Sequence, residues 1–178
     1  MATKDLDKIA EELAEPFDPF DIEWRPLKSG KQANGKKWAM VFAYVTNRAI
    51  MERLDAVFGI GGWQNTFEFT ADGGVICGIS CKLPTKDGQD FEWVTKFDGA
   101  DKSDIEPTKG GISNAMKRTA VQWGMGRYLY RLHQTFVELI DGRGDGEYQI
   151  NTYDKNLGGN HHYDRPKLPT WALPKADK

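Results

Sequence analysis

The sequence predicts an α+β domain with an antiparallel β-β-β-α core, its sheet packed by one long helix. Three observations lead there. First, the segments Trp63–Phe69, Val75–Leu83 and Phe91–Phe97 alternate residue types at the two-residue period of half-buried strands. Second, ADGG (Ala71–Gly74) and TKDGQ (Thr85–Gln89) between them are hairpin turn sequences. Third, Ile112–Leu132 follows with apolar residues at helical spacing, and a sheet with one apolar face needs a covering layer.

The elements follow in chain order. Asp5–Glu15 places Leu6, Ile9 and Leu13 on one helical face, and Pro16 and Pro19 end that helix. Ile22–Arg25 reads as a short strand, and Lys28–Lys37 (KSGKQANGKK) as a flexible basic loop or hairpin tip. In Trp38–Val45 the residues Trp38, Met40, Phe42 and Tyr44 share one strand face. Thr46 or Asn47 caps the next helix, whose core stripe is Ile50, Leu54, Val57 and Phe58 and whose stop is Gly59.

In the three strands the common faces are Trp63, Asn65, Phe67, Phe69; Val75, Cys77, Ile79, Cys81, Leu83; and Phe91, Trp93, Thr95, Phe97. Asp98–Gly111 is an acidic loop, and Ser113 or Asn114 is the expected cap of the long helix. Residues 1–140 make up the domain. Residues 141–178, rich in Gly, Asp, Asn and Pro with isolated aromatics, read as an extended tail.

With 39% hydrophobic and 12% aromatic residues, the 178-residue chain has material for one soluble core. No apolar run is long enough to span a bilayer, and Met1–Leu13 lacks the apolar stretch of a signal peptide, so a cytoplasmic location is expected. Cys77 and Cys81, four apart on one strand face, read as reduced core thiols.

The formal net charge is −2, yet the charges are segregated. Trp24–Met51 holds no acid and six bases: Arg25, Lys28, Lys31, Lys36, Lys37 and Arg48. Pro107–Val137 holds no acid and five bases: Lys109, Lys117, Arg118, Arg127 and Arg131. Such segregation suits a protein that grips phosphates while staying soluble. At about 100° per residue, Lys109, Lys117, Arg127, Tyr128 and Arg131 fall in one arc, between shoulders carrying Met116 and Trp123 on one side and Val121 and Met125 on the other. Arg118 lies off that arc. Gly124 and Gly126 weaken the phase beyond them. Lys117 and Arg118 are the first candidates for phosphate contact; Tyr128 and Tyr130 are candidates for base stacking, set against a core role.

AYVTNRAIMERLDAVFGIGGW (Ala43–Trp63), three strands, and KGGISNAMKRTAVQWGMGRYLY (Lys109–Tyr130) together resemble the Rad fifty-two superfamily of single-strand annealing proteins, in its phage and bacterial branch of Sak-like and DdrA-like proteins. The resemblance spans Phe17–Leu132. It implies a ring-forming homo-oligomer, with single-stranded DNA in a positive groove and its bases exposed for pairing. It also implies annealing in recombination or repair with no nucleotide cofactor and no enzymatic turnover. The family's inner contacts fall on Arg48 and the Lys117–Arg118 pair. Ile60 stands where the eukaryotic pattern has an aromatic, and Val121 where it has a base; Arg127 or Arg131 would compensate. No counterpart of the eukaryotic recombinase-recruiting region is visible. A single-strand-binding protein is a candidate partner.

Two other readings follow from the same residues. One is a protein that coats single-stranded nucleic acid without annealing it. The other is a metal-dependent nuclease built on Asp98, Asp101, Asp104 and Glu106, carboxylates on a loop without a strand-borne partner. His161 and His162, beside Asp164, read as a solvated loop rather than a metal site. No phosphate-binding loop, GxSxG or HExxH motif is present.

Overall fold

Alternating residues and tight turns build two antiparallel sheets, and α3 follows the three-stranded one along the chain. The computed structural model describes residues 5–85, 88–101 and 107–175. The elements are α1 (Leu6–Ala14), β1 (Ile22–Lys31), β2 (Lys37–Val45), α2 (Asn47–Phe58), β3 (Trp63–Phe69), β4 (Val75–Pro84), β5 (Phe91–Ala100), α3 (Pro107–Gln122), β6 (Thr135–Asp141), β7 (Gln149–Asp154) and β8 (Gly159–Asp164). One sheet has the order β3-β4-β5 and the other β1-β2-β6-β8-β7. The architecture is α+β, and the β-β-β-α unit runs from β3 to α3.

Local chemistry accounts for the helix ends. Asp5 caps α1, and Ile9 and Leu13 are buried while Leu6 is exposed. Arg53 of α2 finishes α1: its guanidinium donates to the carbonyls of Glu12 and Glu15, each at 2.8 Å, and lies 4.1 Å from the centre of the Phe17 ring. Thr46 Oγ1 accepts from the Ala49 N–H at 3.2 Å, and Gly59 ends α2 with φ +75°.

The covering helix is shorter and earlier than the expected Ile112–Leu132. It starts at Pro107, a residue suited to a first helical turn, so Ser113 and Asn114 lie inside it rather than capping it. Asn47 Nδ2 donates instead to Ser113 Oγ at 3.2 Å. The helix stops at Gln122 because Gly124 and Gly126 take φ of +101° and +68°, and Arg127–Arg131 continues as a short 3-10 turn.

Register decides which faces are buried. Directly opposed residues of an antiparallel pair lie on the same side of the sheet. Cys77, Ile79 and Cys81, all fully buried, face Asp98, Lys96 and Val94 across the β4–β5 ladder. Those β5 residues therefore point toward α3, and the aromatic set expected there points the other way. Phe91, Trp93 and Phe97 are about half exposed on the outer face. On β2 the same rule pairs Ile22 with Val45 and Trp24 with Ala43, so the small and branched residues enter the core. Trp38, Phe42 and Tyr44 share the opposite face, where Trp38 packs on Phe136 with ring centres 5.6 Å apart.

The segment after Asp141, read as an extended tail, instead supplies β7 and β8. Tyr163 is fully buried and its hydroxyl donates to the Trp24 carbonyl at 2.9 Å. Arg165 Nη1 donates to the Ile22 carbonyl at 2.7 Å, and Ser29 bonds Asp154. His161 is buried in β8, with Nδ1 2.9 Å from an Asp141 carboxylate oxygen, so the solvated-loop reading of that pair does not hold. Residues 168–174 (LPTWALP) dock on their own chain: Ala172 is buried, and the Trp171 ring lies under the Arg131 guanidinium.

Both cysteines are free and buried; burial pushes the Cys81 thiol up to about 12. No helix among the described residues is long and apolar enough to cross a membrane.

Gly126→Ala tests the helix stop. Its φ is +68°, and an added Cβ would lie 2.6 Å from Val45 Cγ2. The expected loss is about 1–3 kcal/mol, seen as a lower urea midpoint with an unchanged slope.

Candidate nucleic-acid interface

Lys117 and Arg118 are neighbours on α3, and the helix aims them at different sheets. Lys117 Nζ lies 2.7 Å from Glu23 Oε2 on β1. Arg25, two residues along the same strand face, donates through Nη2 to that same oxygen at 2.8 Å. Two cations thus converge on one carboxylate, leaving a local excess of one positive charge. Tyr44 stands opposite Glu23 in the β1–β2 ladder and is partly exposed.

The Lys117 side chain is only 9% exposed, whereas that of Arg25 is 53% exposed. Burial pulls the Lys117 amine below its ordinary value, against the hydrogen bond and charge of Glu23. Burial tends to raise the Glu23 carboxyl, but the Lys117 bond and charge, with Arg25, outweigh it and hold it below the ordinary value.

Arg118 Nε lies 3.0 Å from Asp98 Oδ1 on β5, with its side chain 57% exposed. Asp98 also accepts from Gln122 Nε2 at 3.2 Å. Burial tends to raise Asp98, and the bonds from Gln122, Gly99 N–H and Arg118 bring it below its usual range.

Arg48, at the start of α2, sits 3.7 Å from Asp21 and 3.8 Å from Glu52. Its Asp21 contact is two residues from Glu23, so Arg48, Arg25 and Lys117 are all tied to the entry of β1. Lys109 is exposed in the first turn of α3.

The other three predicted residues are engaged elsewhere. Arg127 closes the end of α3, donating to the Val121 and Gln122 carbonyls at 2.8 and 2.9 Å. Tyr128 is partly buried, and its hydroxyl accepts the Phe17 N–H at 2.9 Å. Arg131 lies 5.0 Å from the Trp171 ring centre. The single arc drawn through these residues ends where α3 ends.

Glu23 and Tyr44 were missed as site residues, and Arg25 entered only as one base of a run. The Glu-Trp-Arg alternation carried a signal for the Glu23–Arg25 pair, but no local pattern links either to Lys117, 94 residues from Glu23. Exposed ion pairs are weak in water, so Arg25, Arg48 and Arg118 can exchange a carboxylate for a phosphate at small cost.

Of the proposed metal cluster, Asp104 and Glu106 lie outside the described residues. Asp98 is occupied by Arg118 and Gln122. Among the described residues no three His, Cys, Asp or Glu side chains group to hold a metal ion.

Comparison with known proteins adds an independent line. Residues 5–148 match the model of a family described as Rad52/22 family double-strand break repair protein. The chain is 30% identical to the single-stranded DNA-binding protein DdrA of Deinococcus radiodurans over 176 residues, 97% of this chain and 71% of that protein. It is 28% identical to the DdrA of Deinococcus deserti, covering 97% of this chain and 74% of that one. Both alignments therefore include most of the C-terminal strands.

Glu23→Gln tests the charge cluster. A carboxyl held low by its partners stabilises the fold above its ordinary titration range, and that stability is lost as pH falls through the lowered value. At neutral pH the variant should be less stable by about 1 kcal/mol, the scale for a partly exposed pair. The difference should close in acid, as read by urea unfolding at several pH values.

Proposed function

The chain belongs to the Rad52/22 family of double-strand break repair proteins, and from that premise we propose that it binds single-stranded DNA and anneals complementary strands without a nucleotide cofactor. It acts in the bacterial cytoplasm during recombination or repair, as a homo-oligomeric ring. The observation that carries the reading is the similarity, across nearly the whole chain, to two proteins named for single-stranded DNA binding.

The charge cluster supports a site. Arg25, Arg48, Lys117 and Arg118 come from three separate elements, and their acidic partners hold their side chains in place before any strand arrives. Phosphates bind cations without regard to sequence, which suits a protein that must accept any strand. Pairing itself is downhill, since DNA stacking contributes about 1.4 kcal/mol per step. The protein's part is to align strands with their bases free, and hydrolysis of a nucleotide is not required.

A second reading, coating without pairing, draws on the relatives' printed name, which describes binding alone. A strand-pairing assay with labelled complementary oligonucleotides separates the two. Annealing predicts pairing faster than the spontaneous rate in the absence of ATP; binding with an unchanged rate leaves the coating role.

Replacing both Arg25 and Arg118 by Ala should weaken binding to all sequences alike. The slope of log affinity against log salt should shrink by about 1.4, for two phosphate contacts on a single strand. An unchanged slope in a salt titration would remove these residues from the interface.

A further inference from the structure

The outer face of the three-stranded sheet carries a row of rings that the core does not use. Phe91, Trp93 and Phe97 project from β5 away from α3 and are 48%, 49% and 57% exposed. Thr95 completes the row and shares a 2.8 Å hydrogen bond with Ser80. The Phe97 ring covers Gly78, where an added Cβ would come within 2.6 Å of the ring. The Lys82 amine sits 5.2 Å from the centre of the Phe91 ring and is exposed.

We propose that this row is a stacking platform for the bases of a single nucleic-acid strand, with Lys82 as a phosphate partner, separate from the Lys117–Arg118 cluster on the other side of the sheet. The proposal rests on the single-stranded DNA reading given above.

The shape of the surface argues for a strand rather than a protein. The row is one β-strand wide. The outward residues of β3, which form its far border beyond β4, are Gln64, Thr66 and Glu68, all exposed and polar. A protein partner would meet a narrow apolar line along a sheet edge, bordered by the polar residues of β3, whereas a single strand fits such a line. Same-face residues on a strand recur about every 6.7 Å, twice the roughly 3.4 Å rise of stacked bases on one strand. Rings at that spacing can lie between successive bases. Stacking on aromatic faces tolerates any base, as a sequence-independent binder requires. Cation and ring occur together here, so phosphate and base can be held by one surface.

The decisive probes are oligothymidylate and an abasic strand of equal length. The wild-type protein should bind the base-bearing strand at least about tenfold more tightly. Trp93→Ala and Phe97→Ala should each lower affinity for oligothymidylate about 5- to 100-fold and leave abasic binding unchanged. Trp93→Leu, which keeps the apolar cover but removes the ring, should behave like Trp93→Ala. Equal wild-type affinity for the two strands overturns the platform. So does a fall in particle mass in these variants, which would assign the row to contact between copies. If the wild type binds neither strand, the single-stranded DNA reading fails as well, and that outcome is distinct from the other two.

Discussion

The fastening of α3 to β4 is the contact on which the rest of the molecule depends. A three-stranded sheet needs a partner layer to persist in water. β4 offers Val75, Cys77, Ile79 and Cys81, each at most 1% exposed, and α3 covers them with Ala115, Met116 and Ala120. Two buried hydrogen bonds fix the helix in place. Thr119 Oγ1 donates toward the Cys77 carbonyl at 3.0 Å, and Trp123 Nε1 donates to the Ile79 carbonyl at 3.1 Å. These satisfy polar groups that burial would otherwise penalise. They also set the rotation of the helix, and with it the direction in which Lys117 and Arg118 leave.

That rotation lets Lys117 and Arg118 reach carboxylates on two different sheets of an acidic protein. The net charge of −2 describes the whole molecule, while a strand meets only the charges near it. Asp21, Glu23, Glu52 and Asp98 pair with Arg25, Arg48, Lys117 and Arg118 and so position them. An arginine tied to an exposed carboxylate keeps donors pointing outward, and its loss of side-chain freedom is already incurred before a ligand binds.

Much of this order was legible in the residues. The N-terminal helix, the Thr46 cap, the Gly59 stop and the β3-β4-β5 hairpins follow from turn chemistry and periodicity, which are local. The faces of β2 and β5 were not legible, because alternation marks two faces without saying which is inside. Trp93 and Phe97 looked like core by residue type, and only the pairing of Lys96 with Ile79 places them outside. The end of α3 was half visible: Gly124 and Gly126 marked weakness but not a stop. The C-terminal strands escaped notice because their turns and polar residues imitate a tail. Their burial comes from β6 and from Trp24, far away in sequence. Within the candidate site Lys117 and Arg118 were visible as charges, and their carboxylate partners were not.

The order β1-β2-β6-β8-β7 has a bearing on synthesis. The three-stranded sheet and α3 occupy one unbroken stretch, so a growing chain can complete that unit from local contacts. The larger sheet is different: its middle strand β6 is made only after α3, and β8, which flanks it, comes later still. Until then β2 keeps an unpaired edge, a ready template for the wrong strand. In a crowded cell, the interval between the emergence of β2 and the arrival of β6 is when this chain most needs protection.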